Sequence, residues 1–225
     1  MEFSKKIHSK NERKGNHMAK LKKWIGNLKV AEKLKVYRMA VLVMTAFFVL
    51  VALVSTLVIR SNIRHITEVW SPSLEYLQEL ETMTAKYRIK QYQHLVESDA
   101  AAMATCEKEN DNIESQIKDA TAKLGEIINS NKKAQQGKAD YEKATSAWEE
   151  YLSTSDEVYK LSRDNKQAEA AKIMIGSAYE SYMSFVKQLN TLHDDFQVEL
   201  DNAKTLANIC TIIIFIVIIV TGIAI

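Results

Sequence analysis

Two long runs without a charged residue constrain the fold of this chain more than any other feature. Residues 39–59 lie between Arg38 and Arg60, and residues 206–225 form the second run. About 20 helical residues cross a hydrocarbon layer about 30 Å thick, so each run is long enough to span a membrane. A signal peptide would be shorter and nearer the terminus, and a soluble core helix is seldom apolar on every face. We therefore expect two transmembrane helices.

The charge distribution predicts how the chain is oriented in the membrane. Residues 1–38 contain 12 Lys or Arg and three acids, a net charge of +9. Since the whole chain is +2 and both runs are uncharged, residues 60–205 carry −7. Basic flanks stay in the cytoplasm, whereas a long acidic segment is free to cross. We predict a protein of the inner (plasma) membrane, with the amino terminus inside and residues 60–205 in the periplasm or outside the cell.

The amino-terminal segment leaves two questions open. Lysines alternate with an apolar face over residues 20–38, so this stretch either lies on anionic lipid headgroups or is an ordinary basic flank. Residues 1–17 are polar and have no pattern, and Met18 is an alternative start. The predicted organisation is a basic cytoplasmic segment (1–38), a first span (39–59), an extracytoplasmic domain (60–205) and a second span (206–225).

The extracytoplasmic domain is predicted to be all-α. Its 146 residues contain one proline and three glycines, too few turn residues for a sheet. Apolar residues recur in steps of three and four, as in helices of a coiled coil or bundle. We predict an antiparallel up-down four-helix bundle with helices over 61–97, 100–128, 132–162 and 166–205.

The predicted core stripes include a register slip near Pro72 in the first helix. Helices one and four follow the spans without a linker, which would give a signal a mechanical route into the membrane. The stripes are Ile63, Ile66, Trp70, Leu74, Leu77, Leu80, Met83, Tyr87 and Leu95; Met103, Cys106, Asn110, Ile113, Ile117, Ala120, Leu124 and Ile127; Tyr141, Ala144, Trp148, Leu152, Ser155 and Val158; and Ala168, Ala171, Ile175, Ala178, Tyr182, Phe185, Leu189, Leu192 and Phe196.

No pattern of catalytic residues is present, so we expect neither an enzyme nor a cofactor. Six glycines form no phosphate-binding loop, and the basic segment adjoins a span, which argues against nucleic acid. Consecutive residues His193, Asp194 and Asp195 point in different directions on a helix, so a solvated face is preferred to a metal site. Cys106 is interpreted as a small core residue, with a bridge between two copies across a dimer as the alternative.

Arg88 is the candidate ligand-binding residue, together with its neighbours Tyr87 and Gln91. An Arg beside a helical seam can pair with both oxygens of a carboxylate ligand at a dimer interface. The alternatives are an ion pair with an acid on a neighbouring helix, or simple solvation. Asn110 interrupts an apolar seam and is predicted to fix the register of the helices, with a polar contact to a ligand as the alternative.

Three segments carry a resemblance to a known family. They are the stretch from Leu28 to Leu34 (LKVAEKL), the stretch from Tyr87 to Leu95 (YRIKQYQHL), and the turn from Arg163 to Ala168 with the spaced alanines that follow it. Together with the order of elements, they make residues 27–225 resemble the four-helix-bundle sensor domain of bacterial methyl-accepting chemotaxis receptors.

The resemblance implies a homodimer that senses small acids near the outer part of helix one. It further implies a signal that passes through the second span to a HAMP segment, a methylated hairpin and a kinase complex. These parts do not occur in the 225 residues, so the chain is either a fragment or a natural truncation. We expect a fragment, because a membrane helix with no residue beyond it is poorly anchored. The alternatives are the input domain of a sensor histidine kinase or diguanylate cyclase, and a structural membrane-anchored stalk.

Overall fold

The computed structural model describes residues 29–224, and every regular element within them is a helix. These residues form two compact units. One extends over Val58–Ile209, and the other contains both apolar runs, residues 29–57 and 210–224. The basic residues 1–28, including most of the predicted cytoplasmic segment and Met18, lie outside the described residues.

The described chain contains six α-helices and two short turns of other helix types, one π and one 3₁₀. Within Val58–Ile209 they form an antiparallel up-down four-helix bundle, so the predicted fold class is confirmed. In chain order the elements are α1 (Val30–His65), a π-helical turn (Ile66–Trp70), α2 (Ser71–Val96), α3 (Ala100–Ser130), a 3₁₀ turn (Ala134–Gly137), α4 (Lys138–Arg163), α5 (Gln167–Ile175) and α6 (Ser177–Ala224).

Two helical segments are long and apolar enough to cross a membrane. Each contains an 18-residue window of mean hydropathy 2.8 or 2.5, of which only 6% is buried by the protein itself. Large side chains such as Phe47 and Phe215 are each about three-fifths exposed. A helix that is apolar all round and not covered by protein is stable only in an apolar solvent, which lipid provides.

The π-helical turn explains the register slip near Pro72. One residue is added to the helical repeat over Ile66–Trp70, and α2 then begins with Pro72 in its first turn. Proline is tolerated there because the first amides of a helix have no intrahelical acceptor. The extra residue turns Trp70 into the core, where it is 1% exposed and its ring lies 5.5 Å from that of Phe196.

Capping chemistry fixes two of the turns between helices. The Asp99 side chain accepts the amide of Ala102 at 3.0 Å and so caps the start of α3. After α4, Asn165 adopts a positive φ of 60°. The amide of Lys166 then donates to the carbonyl of Leu161 at 2.8 Å, which closes a Schellman motif.

The predicted bundle is wrong at two places, the start of the third helix and the continuity of the fourth. The third helix begins at Lys138 rather than 132, because the Asn131 side chain accepts the amide of Lys133 and a 3₁₀ turn follows. The fourth helix is interrupted at Gly176. Before this break the buried face is shifted by one residue from the predicted stripe: Met174 is fully buried, whereas Ile175 is 68% exposed.

Asn110 occupies a buried position between three helices. Its side-chain nitrogen donates to the carbonyl of Tyr87 at 3.1 Å and to the hydroxyl of Tyr159. Asn110 is 2% exposed and Tyr159 is 8% exposed, so water does not compete for these bonds. A polar contact of this kind is satisfied in only one alignment of α2, α3 and α4, which supports the register role without testing it.

Replacement of Asn110 by Leu is expected to lower the free energy of unfolding by about 1–3 kcal/mol, because the buried hydroxyl of Tyr159 loses its partner. Adding Tyr159→Phe removes that hydroxyl and should restore much of the loss. Chemical denaturation of the single and double variants measures both effects, with the exposed Asn112→Leu as the matched control. An Asn110→Leu protein as stable as the wild type would show that Asn110 does not set the register.

Candidate functional site

Arg88 lies in the last third of α2 and is only 9% exposed. It is neither solvated nor paired with an acid: within residues 29–224 no carboxylate lies within 4.0 Å of its guanidinium. A buried charge without a counterion is costly unless other groups stabilise it. The surroundings of Arg88 therefore determine what this part of the bundle can do.

Two hydrogen bonds hold one nitrogen of the guanidinium. Arg88 Nη2 donates to the carbonyl of Met174 at 2.9 Å and to the hydroxyl of Tyr92 at 3.0 Å. Met174 is the penultimate residue of α5, so its carbonyl lies at the negative end of that helix. Arg88 Nη1 is also buried but has no hydrogen-bond partner among the described residues.

Four tyrosine rings surround the guanidinium carbon of Arg88. The rings of Tyr182, Tyr92, Tyr179 and Tyr151 have their centres 5.0, 5.3, 5.4 and 5.8 Å away. Each distance is within the range of a cation–π interaction, which stabilises a cation that has been removed from water. Tyr92 and Tyr179 are 37% and 47% exposed, so they form the outer wall of this tyrosine cage.

The other two predicted site residues are buried beside the cage. Gln91 donates to Ser155 Oγ at 2.8 Å and accepts the hydroxyl of Tyr151, which is itself part of the cage. The ring of Tyr87 packs against Trp148 with ring centres 5.5 Å apart. Gln91 therefore orients one cage residue, whereas Tyr87 belongs to the core.

Burial raises the pKa of Tyr151 and of Tyr182 above the ordinary value for a phenol, and the charge of Arg88 partly opposes the shift. Both hydroxyls are therefore protonated at neutral pH. A protonated phenol is a hydrogen-bond donor. The site thus combines a cation, an unused pair of guanidinium hydrogens and neutral phenols, which is chemistry suited to an anion.

The sequence pattern did not identify Met174 or the cage tyrosines as partners of Arg88. Tyr92 follows Arg88 by four residues, so helical spacing alone places them on neighbouring turns. Tyr182 was in the predicted stripe of the fourth helix. Met174 carries no sequence signal, because it is the backbone carbonyl that binds and its availability depends on the helix break at Gly176.

A second polar cluster joins α2, α3 and α4 near the end of α2. His94 is fully buried, with Nδ1 2.9 Å from Ser162 Oγ and Nε2 2.9 Å from Glu107 Oε1. Arg163 makes two further hydrogen bonds to the Glu107 carboxylate, at 2.8 and 2.9 Å. Each of these polar side chains has a hydrogen-bond partner. The cluster therefore stabilises the packing of the three helices and offers no free group to a ligand.

A cavity of about 350 Å³ lies between α3 and α4, with Leu80, Phe185 and Leu189 among its lining residues. Its walls are mainly apolar, and Glu114 lies among them. Burial and the neighbouring Asp111 and Asp156 raise the pKa of Glu114, whereas Lys118 lowers it. Neither Arg88 nor a tyrosine of the cage lines this cavity.

No group of three potential metal ligands converges within the described part of the chain. His193 Nδ1 lies 3.8 Å from Asp194 Oδ1, and both side chains are exposed. Cys106 is half-buried on α3 and is not in a disulfide. These residues therefore add no second candidate site.

Comparison with known proteins agrees with this architecture. A family model described as a four helix bundle sensory module for signal transduction matches residues 27–208, which is most of the chain. No curated protein matches the chain. The matched stretch includes the whole bundle, with Arg88, its tyrosine cage and the helix break at Gly176. This chain therefore belongs to the family of four-helix-bundle sensory modules for signal transduction.

Proposed function

We propose that this protein is a transmembrane chemoreceptor module that detects a small anionic molecule outside the cytoplasm. The observation that carries the proposal is the buried guanidinium of Arg88, which has no acid partner within the described residues and has one nitrogen unpaired. A carboxylate would supply both the missing charge and the missing acceptors. The tyrosine cage would enclose its apolar part.

Access to Arg88 is through the outer wall of the cage. Tyr179 is 47% exposed and has no hydrogen bond to Arg88 among the described residues, so rotation of its ring would uncover the guanidinium while the hydroxyl of Tyr92 stays bound to Nη2. Exposed aromatic side chains change rotamer within nanoseconds, so this opening is fast compared with most signalling steps. The ligand would then lie between α2 and the start of α6.

The signal would travel along α6. This helix runs without interruption from Ser177, beside the cage, to Ala224 in the second apolar run. A rigid helix transmits an axial or rotational displacement along its length. Residues 1–38 in the cytoplasm and residues 60–205 outside it would be the topology that lets such a displacement carry information across the membrane.

A second copy of the chain would cover the apolar surface around the cage. Ile89 on α2 and Ile175 on α5 are 56% and 68% exposed, and Val96 is 85% exposed. Large apolar side chains that are more than half exposed are candidates for an interaction surface. We infer a homodimer in which this surface faces its counterpart, with chemotaxis as the output, in line with the resemblance of three segments to chemotaxis receptors.

Isothermal titration of the full chain in detergent with a panel of amino and organic acids tests the ligand site. At least one carboxylate is expected to bind, and Arg88→Lys should weaken it roughly tenfold to a hundredfold because the bidentate fork is lost. Arg163→Lys, an exposed arginine of the same bundle, is the control and should leave the affinity unchanged. Equal affinities in the wild type and the Arg88→Lys protein would rule out the site.

Ile175→Glu is expected to shift the protein from dimer towards monomer, because it places a charge in the proposed apolar interface. Sedimentation velocity in a detergent of matched density measures the mass of the protein. Glu150→Lys on the exposed side of α4 is the control for a charge change elsewhere. A dimer that persists unchanged in Ile175→Glu would place the interface on another face.

A further inference from the structure

The fourth helix of the bundle, which α5 and α6 form together, is interrupted at a single residue. Gly176, between α5 and α6, has φ −97° and ψ −112°, which is far from helical geometry. A Cβ at this position would lie 2.9 Å from the backbone oxygen of Lys172, closer than real side chains approach. Glycine therefore permits the break, and other groups must stabilise it.

A helix that ends leaves its last carbonyls without intrahelical donors. At the end of α5 the Gly176 amide bonds to the carbonyls of Lys172 and Ile173 at 3.0 and 3.2 Å. The next carbonyl, that of Met174, accepts instead from Arg88 Nη2, 86 residues earlier in the chain. Arg88 on α2 thus holds the end of α5 by a hydrogen bond that a continuous helix would make internally.

We propose that Arg88 acts as a latch. Its hydrogen bond to Met174 keeps the fourth helix of the bundle interrupted at Gly176, and an anion that binds to Arg88 releases the Met174 carbonyl. This inference rests on the ligand site proposed above. It adds the step by which occupancy of that site changes the conformation of the bundle.

An anion that binds to Arg88 through two hydrogen bonds has to compete with Tyr92 and Met174 for the hydrogens of Nη2. A guanidinium offers two forks, Nη1 with Nη2 and Nε with Nη2, so both of them use Nη2. Each of the two Nη2 hydrogens is already used, one by Tyr92 and one by Met174. A carboxylate in either fork has to displace one of these acceptors.

Of the two acceptors, Met174 is the one with an alternative donor within the backbone of its own helix. In an uninterrupted helix its carbonyl accepts from the amide four residues later, that of Ala178. Ser177, Ala178 and Tyr179 begin α6, so their amides are among the first four of that helix and have no acceptor within it. Release of Met174 therefore allows α5 and α6 to join into one helix, which rotates and moves one relative to the other.

Hydrogen exchange at the amides of residues 177–179 tests the latch without any ligand. In the full chain, Arg88→Met should slow exchange at these amides roughly tenfold, because the freed carbonyls become their acceptors. Gly176→Ala should do the same with Arg88 intact, since alanine favours the helix and disfavours the break. Arg64→Met, at an exposed arginine whose ion pair with Glu68 lies on the surface, is the matched control and should leave these amides unchanged.

Gly176→Ala takes the place of Arg88→Met if exchange across α3 shows that the latter is unfolded, because a lysine at position 88 would keep a donor for the Met174 carbonyl. Unchanged exchange at residues 177–179 in folded Arg88→Met, or in folded Gly176→Ala where it takes that place, would overturn the latch, whether or not an acid binds. In the wild type, a saturating acid from the titration panel should slow the same amides. An acid that binds through Arg88 and leaves them unchanged would overturn the latch and leave the ligand site standing.

Discussion

A chain that enters lipid must satisfy its backbone hydrogen bonds within each crossing segment, because the hydrocarbon layer offers no water to the amides and carbonyls. The two apolar runs in this sequence meet that requirement, because both are helical and long enough to span a membrane. α1, the π-helical turn and α2 follow one another directly, and α6 runs unbroken into the second run. The first and last helices of the bundle are thus continuous with the two helical runs that could span a membrane.

Within the bundle, the buried charge of Arg88 sets the local arrangement. It is stabilised by four aromatic faces and by the negative end of a short helix, and no carboxylate among the described residues contributes. These are weaker partners than an ion pair, so under the proposed function the guanidinium would still gain free energy from a bound anion. A receptor needs this combination, because a cation already neutralised by a protein carboxylate would have little free energy left to gain from a ligand.

The sequence was sufficient to predict local structure where one residue type determines the backbone geometry. Pro72 next to a register slip was informative, because its restriction of φ acts within a few residues. Asn110 stood out because it interrupts a regular stripe. The family follows from the order and spacing of these elements together with the match over residues 27–208.

What could not be predicted depends on backbone groups far apart in the chain. Arg88 is adjacent to the core position Tyr87, where a long polar side chain usually reaches water. Its burial follows from a partner, the carbonyl of Met174, that is available only because the helix breaks at Gly176. The same break shifted the stripe before it, so Ile175 was predicted to be buried and is exposed.

The central claim is that a change at Arg88 reaches the end of the bundle through α6. It is tested most directly by spin labels at the exposed positions Arg64 on α1 and Thr205 on α6, in a full chain with Cys106 and Cys210 replaced by alanine. Electron–electron resonance then measures the distance between them with and without a bound acid. We expect the distance distribution to shift by about 1–2 Å, the scale of helix movements in signalling proteins. An identical distribution in the free and the acid-bound protein would contradict the account.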